Sequence, residues 1–284
     1  MAMRYTVLEF DPYLLNILRS LLAAIACTPI LLQHRKLFRG KALREANFVA
    51  VTITIASICF LLGLLHSSAS FVSMLILLTP IVLVVYSARY FGEKINKRAT
   101  AGIVLAAAGA LVLVLLPIAI EQQATFQFYP LAAALIVLNS LIYPLSVIKI
   151  KKLDQDYHVP LLAIIGYSSW VIAGVNSVIW ALHGAPLPAS VSWQAVMGVV
   201  YSGIVVTVFS RALSIWAYER IGSVAIGALT YLESLLAVVL PIIILGEKLS
   251  VEMVIGGAMI MLGVYVIEYH KSTHAKRHHF SRHH

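Results

Sequence analysis

Charged residues are scarce in this chain: Asp, Glu, Lys and Arg make up 12% of its 284 residues, whereas hydrophobic residues make up 61%. A soluble domain carries about 25% charged residues. A soluble protein of this composition would have too few polar side chains to cover its surface. The scarcity of charge therefore excludes an ordinary soluble domain and favours a chain that crosses a membrane several times.

The sequence also lacks the residues and motifs on which most enzymes depend. Its two cysteines, Cys27 and Cys59, lie inside apolar stretches and lack metal-ligand spacing, so we interpret them as packing residues rather than as a disulfide. It contains no nucleotide-binding loop, nucleophile–base pair or cluster of metal ligands. We therefore predict no catalytic residue, no bound metal, no cofactor and no enzymatic activity.

Nine apolar stretches are each long enough to cross a bilayer, which requires about 20 residues in a helix. The connections between them are mostly short and leave no room for a soluble domain. The sequence thus predicts an all-α integral membrane protein whose spans lie at 12–33, 46–66, 69–91, 99–120, 129–148, 159–183, 192–217, 223–245 and 251–268.

The formal net charge of +9 comes from basic residues that collect on one side of the predicted membrane. If the spans alternate in direction, Arg35 and Lys36 after the first span lie on the same side as the basic C-terminal tail, while the opposite side carries only Arg4 and Lys248. Lys and Arg are retained in the cytoplasm. We therefore predict the cell (inner) membrane as the location, with the N-terminus outside and the C-terminus cytoplasmic.

Residues 271–284 form a basic, His-rich tail after the last predicted span. We expect a solvated, disordered cytoplasmic segment there that is attracted to anionic lipid, although a His-rich segment could also bind a metal. Because the basic residues lie between apolar stretches, the lipid bilayer is the expected partner and nucleic acid is not.

An internal repeat relates two parts of the chain. A shift of 154 residues aligns the turn Gly92-Glu93-Lys94 with Gly246-Glu247-Lys248 without a gap. By the predicted spans, the first turn is cytoplasmic and the second external, so the two copies run in opposite directions. Inverted repeats of this kind are typical of secondary transporters. The same shift also aligns two pairs of glycines: Gly102 with Gly256, and Gly109 with Gly263.

The segment SSASFVSMLILLTPIVLVVYSARYFGEKI and its partner at 222–249 closely resemble EamA-type members of the drug/metabolite transporter superfamily. The resemblance covers nearly the whole chain and implies a first repeat at 1–120 and a second at 121–270. Members of this family typically have ten spans, five in each copy, with both termini in the cytoplasm. Here the counterpart of the predicted span 129–148 would lie before Met1, so we expect four plus five spans. Whether the first helix is lost or the sequence is truncated stays open.

This resemblance implies a secondary transporter that moves a small organic metabolite, an amino acid or a drug-like solute, by alternating access. Export is the expected direction. A small-molecule substrate and the lipid bilayer are the expected partners, while coupling to a proton or another ion and the oligomeric state stay open. The alternative is a non-transporting membrane scaffold or assembly partner with an incomplete cavity.

Ionisable residues inside the predicted spans are the first candidates for a substrate site, because a charge in hydrocarbon is costly. Glu233 lies near the middle of the span 223–245, and the repeat aligns it with Thr79. Glu233 either binds the substrate or a proton, or is a structural carboxylate locked to a neighbour. Arg211 and Arg19 either bind an anionic group of the substrate or make structural contacts.

Two polar residues of the predicted span 129–148 complete the candidate site. Asn139 and Tyr143 are four residues apart and therefore share a helix face, and the following Pro144 could free backbone groups beside them. Hydrogen bonds to a ligand and packing between helices explain this pair equally well. The repeated glycines, in contrast, recur every seven residues, which predicts close packing between helices.

Overall fold

A computed structural model of the chain describes residues 9–91, 97–119, 130–188, 190–210 and 251–280, together with Thr6, Leu213, Leu236, Leu240 and Ile243. Within these residues the secondary structure is helical, with no strand. In chain order the helices are α1 Pro12–Gln33, a 3₁₀ turn Arg35–Leu37, α2 Gly40–Leu65, α3 Ala69–Ile76, α4 Leu78–Phe91, α5 Lys97–Ala119, α6 Pro130–Tyr157, α7 Leu161–Leu182, α8 Trp193–Val200, a π-helix Tyr201–Phe209 and α9 Val251–Phe280.

Several of these helices are long and apolar enough to cross a membrane. In the described part of the chain, α1, α2, α6, α7 and the pair α3–α4 meet this criterion, and shorter apolar stretches occur at Thr100–Leu113, Trp193–Phe209 and Met253–Val266. Together they occupy eight of the nine predicted spans. Apart from three single residues, the predicted span 223–245 lies outside the described residues. The predicted all-α membrane fold is confirmed.

Helices α2 and α6 extend beyond the predicted spans 46–66 and 129–148, since α2 begins at Gly40 and α6 ends at Tyr157. The extra turns carry charged residues that pair with one another: Nζ of Lys149 lies 2.7 Å from Oε2 of Glu45. Hydropathy indicates where the apolar part of a helix ends. The helix itself can continue into polar sequence, because its backbone hydrogen bonds do not require apolar side chains. The predicted boundaries were therefore too short at these two ends.

The C-terminal helix is likewise longer than predicted. Helix α9 continues to Phe280, so residues 271–280, which were expected to be disordered, are helical. The sequence from His270 to Phe280 contains neither proline nor glycine, the two residues that most strongly terminate a helix. The expectation of a disordered segment was wrong for this stretch.

The chain divides into two compact units, each of which combines two stretches of sequence. Unit 1 contains Met1–His66 and Leu141–Ser214, and unit 2 contains Ser67–Ser140 and Ile215–His284. Each unit thus contains residues of both predicted repeats. The repeat boundaries at 1–120 and 121–270 stay predictions.

In unit 1, helix α1 packs against α2, α7, α8 and the π-helix. Asp11 fixes the start of α1, because its Oδ1 accepts hydrogen bonds from the backbone nitrogens of Tyr13 at 2.9 Å and Leu14 at 3.2 Å. This is the usual arrangement of a helix N-cap. A hydrophobic cluster joins α2, α6 and α7 and consists of Ala42, Ala46, Val49, Leu153, Val159, Ala163 and Ile164.

The segment before α1 is tied to the start of α8 by one carboxylate. Oε2 of Glu9 accepts a hydrogen bond from the backbone nitrogen of Ser192 at 2.8 Å, and Oε1 accepts one from its hydroxyl at 2.6 Å. Ser192 is also the N-cap of α8, since its Oγ accepts a hydrogen bond from the nitrogen of Ala195 at 3.1 Å. The hydrogen bonds from Ser192 hold the pKa of the Glu9 carboxyl below its ordinary value of 4.5.

In unit 2, helices α5 and α9 pack so closely that their contact requires glycine. A Cβ atom added to Gly109 would lie 2.7 Å from the carbonyl oxygen of Gly256, and one added to Gly256 would lie 2.7 Å from that of Gly109. A Cβ atom on Gly263 would lie 2.6 Å from the carbonyl oxygen of Gly102. The prediction that these glycines serve close helix packing is confirmed.

Candidate functional site

Arg19 lies inside a helix of membrane-spanning length. It follows the start of α1 at Pro12 by seven residues, or about 10 Å along the axis at 1.5 Å per residue. Its Nε donates a hydrogen bond to Oδ1 of Asn16 at 2.9 Å, and the contact is partly buried. The guanidinium is therefore held by a side chain one turn earlier on the same helix.

Asn16 links Arg19 to a second helix. Nδ2 of Asn16 donates to Oδ1 of Asn176 on α7 at 3.4 Å, and Nδ2 of Asn176 donates to the carbonyl oxygen of Ile172 at 2.8 Å. Both asparagines are fully buried. Each amide accepts through oxygen and donates through nitrogen, so these hydrogen bonds fix the orientation of both side chains.

The π-helix approaches α1 at the same place. A Cβ atom added to Gly203 would lie 2.8 Å from the carbonyl oxygen of Arg19 and 2.9 Å from Cβ of Leu22, so only glycine permits this contact. The hydroxyl of Thr207 donates to the carbonyl oxygen of Ser202, five residues earlier, at 2.8 Å. Wide helical turns of this kind are frequent at functional sites.

Among the described residues, no carboxylate forms an ion pair with Arg19. The carboxylates of unit 1 nearest to it in the sequence are engaged elsewhere: Asp11 caps α1 and Glu9 accepts hydrogen bonds from Ser192. Glu45 pairs with Lys149. The positive charge in α1 is thus not neutralised by any carboxylate that the structure describes.

Thr79 lies at a break in the predicted span 69–91. Helix α3 ends at Ile76 and α4 begins at Leu78, and Pro80 has no N–H to donate to the carbonyl oxygen of Ile76. The Thr79 hydroxyl is buried and has no hydrogen-bond partner among the described residues. Interrupted helices with free backbone groups form substrate sites in many membrane transporters.

Helix α6 meets this break through Ser140, whose hydroxyl donates to the carbonyl oxygen of Leu75 at 3.3 Å. Asn139 precedes Ser140 and is 8% exposed. The hydrogen bond from Ser140 brings α6, which carries the predicted site residue Asn139, next to the end of α3, and Leu75 precedes the predicted site residue Thr79 by four residues. Tyr143 lies one turn further along α6 and is partly buried. Pro144 does not interrupt α6, which is continuous from Pro130 to Tyr157.

Two predicted site residues, Glu233 and Arg211, lie outside the described residues, and their roles stay predictions. The sequence reasoning also missed Asn16 and Asn176. A local signal was available for Asn16, because residues three apart on a helix are neighbours and Asn16 precedes Arg19 by three. No group of three or more His, Cys, Asp or Glu residues is placed to hold a metal in the part of the chain that was searched.

Comparison with known families identifies the chain across most of its length. Residues 1–115 and 130–269 match the model of the EamA-like transporter family. A solved crystal structure superposes with a TM-score of 0.61 at 17% sequence identity, and the match covers 93% of this chain and 89% of the other. At this identity the structural likeness shows the fold alone.

Two curated relatives from Arabidopsis thaliana match shorter stretches. A WAT1-related protein is 29% identical over 86 residues, which are 30% of this chain and 22% of the relative. Protein WALLS ARE THIN 1 is 28% identical over 101 residues, which are 36% of this chain and 24% of the relative. The matched stretches therefore span about a quarter of each curated relative.

The family match includes both Gly-Glu-Lys turns and nearly all the helices of membrane-spanning length. It confirms the resemblance that those turns indicated, and it places the chain among transporters rather than enzymes. The chain belongs to the EamA-like transporter family and is a multi-pass membrane protein.

Proposed function

We propose that this protein is a secondary transporter that exports a small organic metabolite, an amino acid or a drug-like solute, by alternating access. It acts in the cell membrane with its N-terminus outside and its C-terminus in the cytoplasm. The family supports transport in general, and the one-sided distribution of Lys and Arg supports the orientation.

The observation that carries alternating access is the pairing of glycines between α5 and α9. Gly109 contacts Gly256, and Gly102 contacts Gly263. The repeat aligns Gly102 with Gly256 and Gly109 with Gly263, so each contact becomes the other when the two copies are exchanged. A two-fold axis between antiparallel helices produces this reciprocity. Such an axis supports an inverted repeat, whose two halves can exchange conformations around one central site.

We assign the substrate contacts to Glu233, Arg211, Thr79, Asn139, Tyr143 and Arg19. Glu233 is the acidic member, and its proposed role is to bind a proton or a substrate amine. Glu233→Gln keeps the side-chain volume but removes the titration, so the variant should fold and insert while losing coupled transport. Normal flux with an unchanged pH dependence would remove Glu233 from the site.

Reconstitution tests the proposed function. Purified protein in liposomes should take up at least one member of a panel of amino acids and drug-like solutes faster than protein-free liposomes, without ATP. The purified protein must also show a cooperative melting transition, which proves that it is folded. A folded protein that moves no member of a broad panel would favour the alternative, a membrane scaffold without transport.

A further inference from the structure

We infer that Arg19 binds the carboxylate group of the transported solute, and that Asn16 and Asn176 position its guanidinium for this contact. The inference rests on the proposed transport function and adds to it a chemical class of substrate. It assigns roles to two asparagines that lie 160 residues apart in the sequence and meet between α1 and α7.

Arg19 places a positive charge inside a helix of membrane-spanning length. A lone charge in a membrane-spanning helix is strongly disfavoured unless it is paired or solvated. Arg19 is the only charged residue of α1, and neither α7 nor the π-helix contains one. Since no described carboxylate pairs with Arg19, a negative group on the solute would supply the missing charge when the site is occupied.

A guanidinium donates through Nε and through two Nη groups, and it can hold a carboxylate by two parallel hydrogen bonds. The bond from Nε of Arg19 to Asn16 occupies one edge, which leaves the edge formed by the two Nη groups. Among the described residues, the guanidinium donates only to Asn16.

The hydrogen bonds of Arg19, Asn16 and Asn176 form a relay in which each residue donates to the next. Nε of Arg19 donates to Asn16, Nδ2 of Asn16 donates to Asn176, and Nδ2 of Asn176 donates to the carbonyl oxygen of Ile172. Hydrogen bonds that follow one another in this sense polarise each other. If either amide were flipped, donors would face donors and acceptors would face acceptors, so the relay holds Nε of Arg19 in place. Because the guanidinium is already ordered, binding of the solute costs less side-chain entropy.

The size of the charge selects a carboxylate over a phosphate group. A phosphate monoester carries a charge of about −1.5 to −2 at neutral pH, which one arginine would leave partly uncompensated. A carboxylate carries a single negative charge and matches the planar fork of arginine. The three helices that meet at Arg19 contribute one positive charge between them, so a monoanionic group fits best.

The test compares acids with their methyl esters. Purified protein in liposomes is assayed for uptake of leucine, phenylalanine and glutamate, of the methyl esters of leucine and phenylalanine, and of inorganic phosphate. Wild type should prefer the acids to their esters and should not move phosphate. Arg19→Gln and Arg19→Lys should each weaken uptake of the acids by more than about tenfold, the scale of a lost hydrogen bond to a charged group.

Asn16→Asp is the sharper variant. It keeps the oxygen that accepts from Nε of Arg19 but replaces Nδ2, the donor to Asn176, with a second oxygen, and the resulting carboxylate should compete with an acidic solute for the guanidinium. We expect the KM for an acid to rise by about tenfold or more and the KM for its ester to stay unchanged. Ser202→Ala is the matched control, because the buried Ser202 hydroxyl donates to the carbonyl oxygen of Val199 near the end of α8 rather than to Arg19 or an asparagine of the relay.

Several outcomes overturn the inference. One is equal wild-type transport of an acid and its ester, and another is an Arg19→Gln protein that keeps the full preference for acids. Flux lost in Arg19→Gln and restored in Arg19→Gln/Glu233→Gln would identify an internal ion pair instead. If Arg19→Gln does not fold, Asn16→Asp and Arg19→Lys still decide the question. Wild-type protein that moves no solute at all would reject the proposed function itself.

Discussion

Gly109 on α5 and Gly256 on α9 contact each other backbone to backbone: a Cβ atom on either one would lie 2.7 Å from the carbonyl oxygen of the other. The contact is mutual because each glycine faces the other helix across a shared crossing point. Helices approach this closely in membranes only where small residues line the interface. Gly109 and Gly256 therefore mark a point at which unit 2 is sensitive to added volume.

A methyl group at this crossing should destabilise the protein. Gly109→Ala would collide with the backbone of Gly256, and Gly256→Ala would also meet Cγ of Leu113 at 2.6 Å. We expect each variant to lose about 1–3 kcal/mol, the usual cost of overpacking. The melting temperature of the purified protein in detergent measures this loss.

Gly174→Ala provides the control for that prediction. Gly174 lies in α7, and an added Cβ atom would meet nothing within 4 Å. Alanine is a better helix former than glycine, so the control should melt at the same temperature as wild type or slightly above it. If Gly109→Ala melts like Gly174→Ala, the close approach of α5 and α9 does not exist.

Thr79→Val should separate stability from transport. The Thr79 hydroxyl is buried without a partner among the described residues, so its removal should leave the melting temperature unchanged or raise it. Transport should fall if the hydroxyl binds the substrate. Ser146→Ala is the contrasting variant, because the Ser146 hydroxyl donates to Oγ1 of Thr52 at 2.8 Å, and its loss should cost about 1 kcal/mol. A Thr79→Val protein with full transport would remove Thr79 from the site.

The contact between Glu9 and Ser192 should depend on pH. Hydrogen bonds from Ser192 lower the pKa of the Glu9 carboxyl from its ordinary value of 4.5. The contribution of the Glu9–Ser192 contact to the free energy of unfolding is therefore fully present above pH 4.5. It is lost as the pH falls through the lower pKa of Glu9 in the folded state. Wild type should melt above Glu9→Gln at neutral pH, and the difference should disappear in acid. A difference that stays constant with pH would contradict this account.

Cysteine labelling tests the predicted orientation. Leu187 lies between α7 and α8 and is 75% exposed, and the exposed Lys36 lies between α1 and α2. In intact cells, Leu187→Cys should react with an impermeant maleimide and Lys36→Cys should not. The natural cysteines, Cys27 and Cys59, are buried and should give little background. The reverse pattern of labelling would mean that the N-terminus is cytoplasmic.

The sequence predicts those parts of the fold that depend on local composition. The predicted first span, 12–33, coincides with α1, because the helix begins and ends with the apolar stretch from which the span was predicted. The close packing of the repeated glycines was predicted for a similar reason, since their seven-residue spacing places them on one helix face. Hydropathy and spacing were sufficient for both predictions.

Features that depend on contacts between distant segments could not be predicted. The break at Leu77 was missed for a different reason: hydropathy does not change there, and the local signal that Pro80 offered was not used. The hydrogen bond between Asn16 and Asn176 depends on how α1 packs against α7, which no local pattern encodes. The approach of Gly203 to Arg19 has the same origin. The site residues themselves were recognisable as polar groups in apolar spans. Asn16 also had a local signal, since it precedes Arg19 by one turn, but Asn176 had none.

Counterflow in liposomes tests transport by alternating access most directly. Liposomes that contain the purified protein are loaded with a high concentration of an unlabelled solute and diluted into a trace of the same labelled solute, without ATP or an ion gradient. A carrier should accumulate the label transiently above its equilibrium level, because each outward-moving site returns with labelled solute. Simple equilibration without an overshoot, for every solute that the protein moves, would contradict the account.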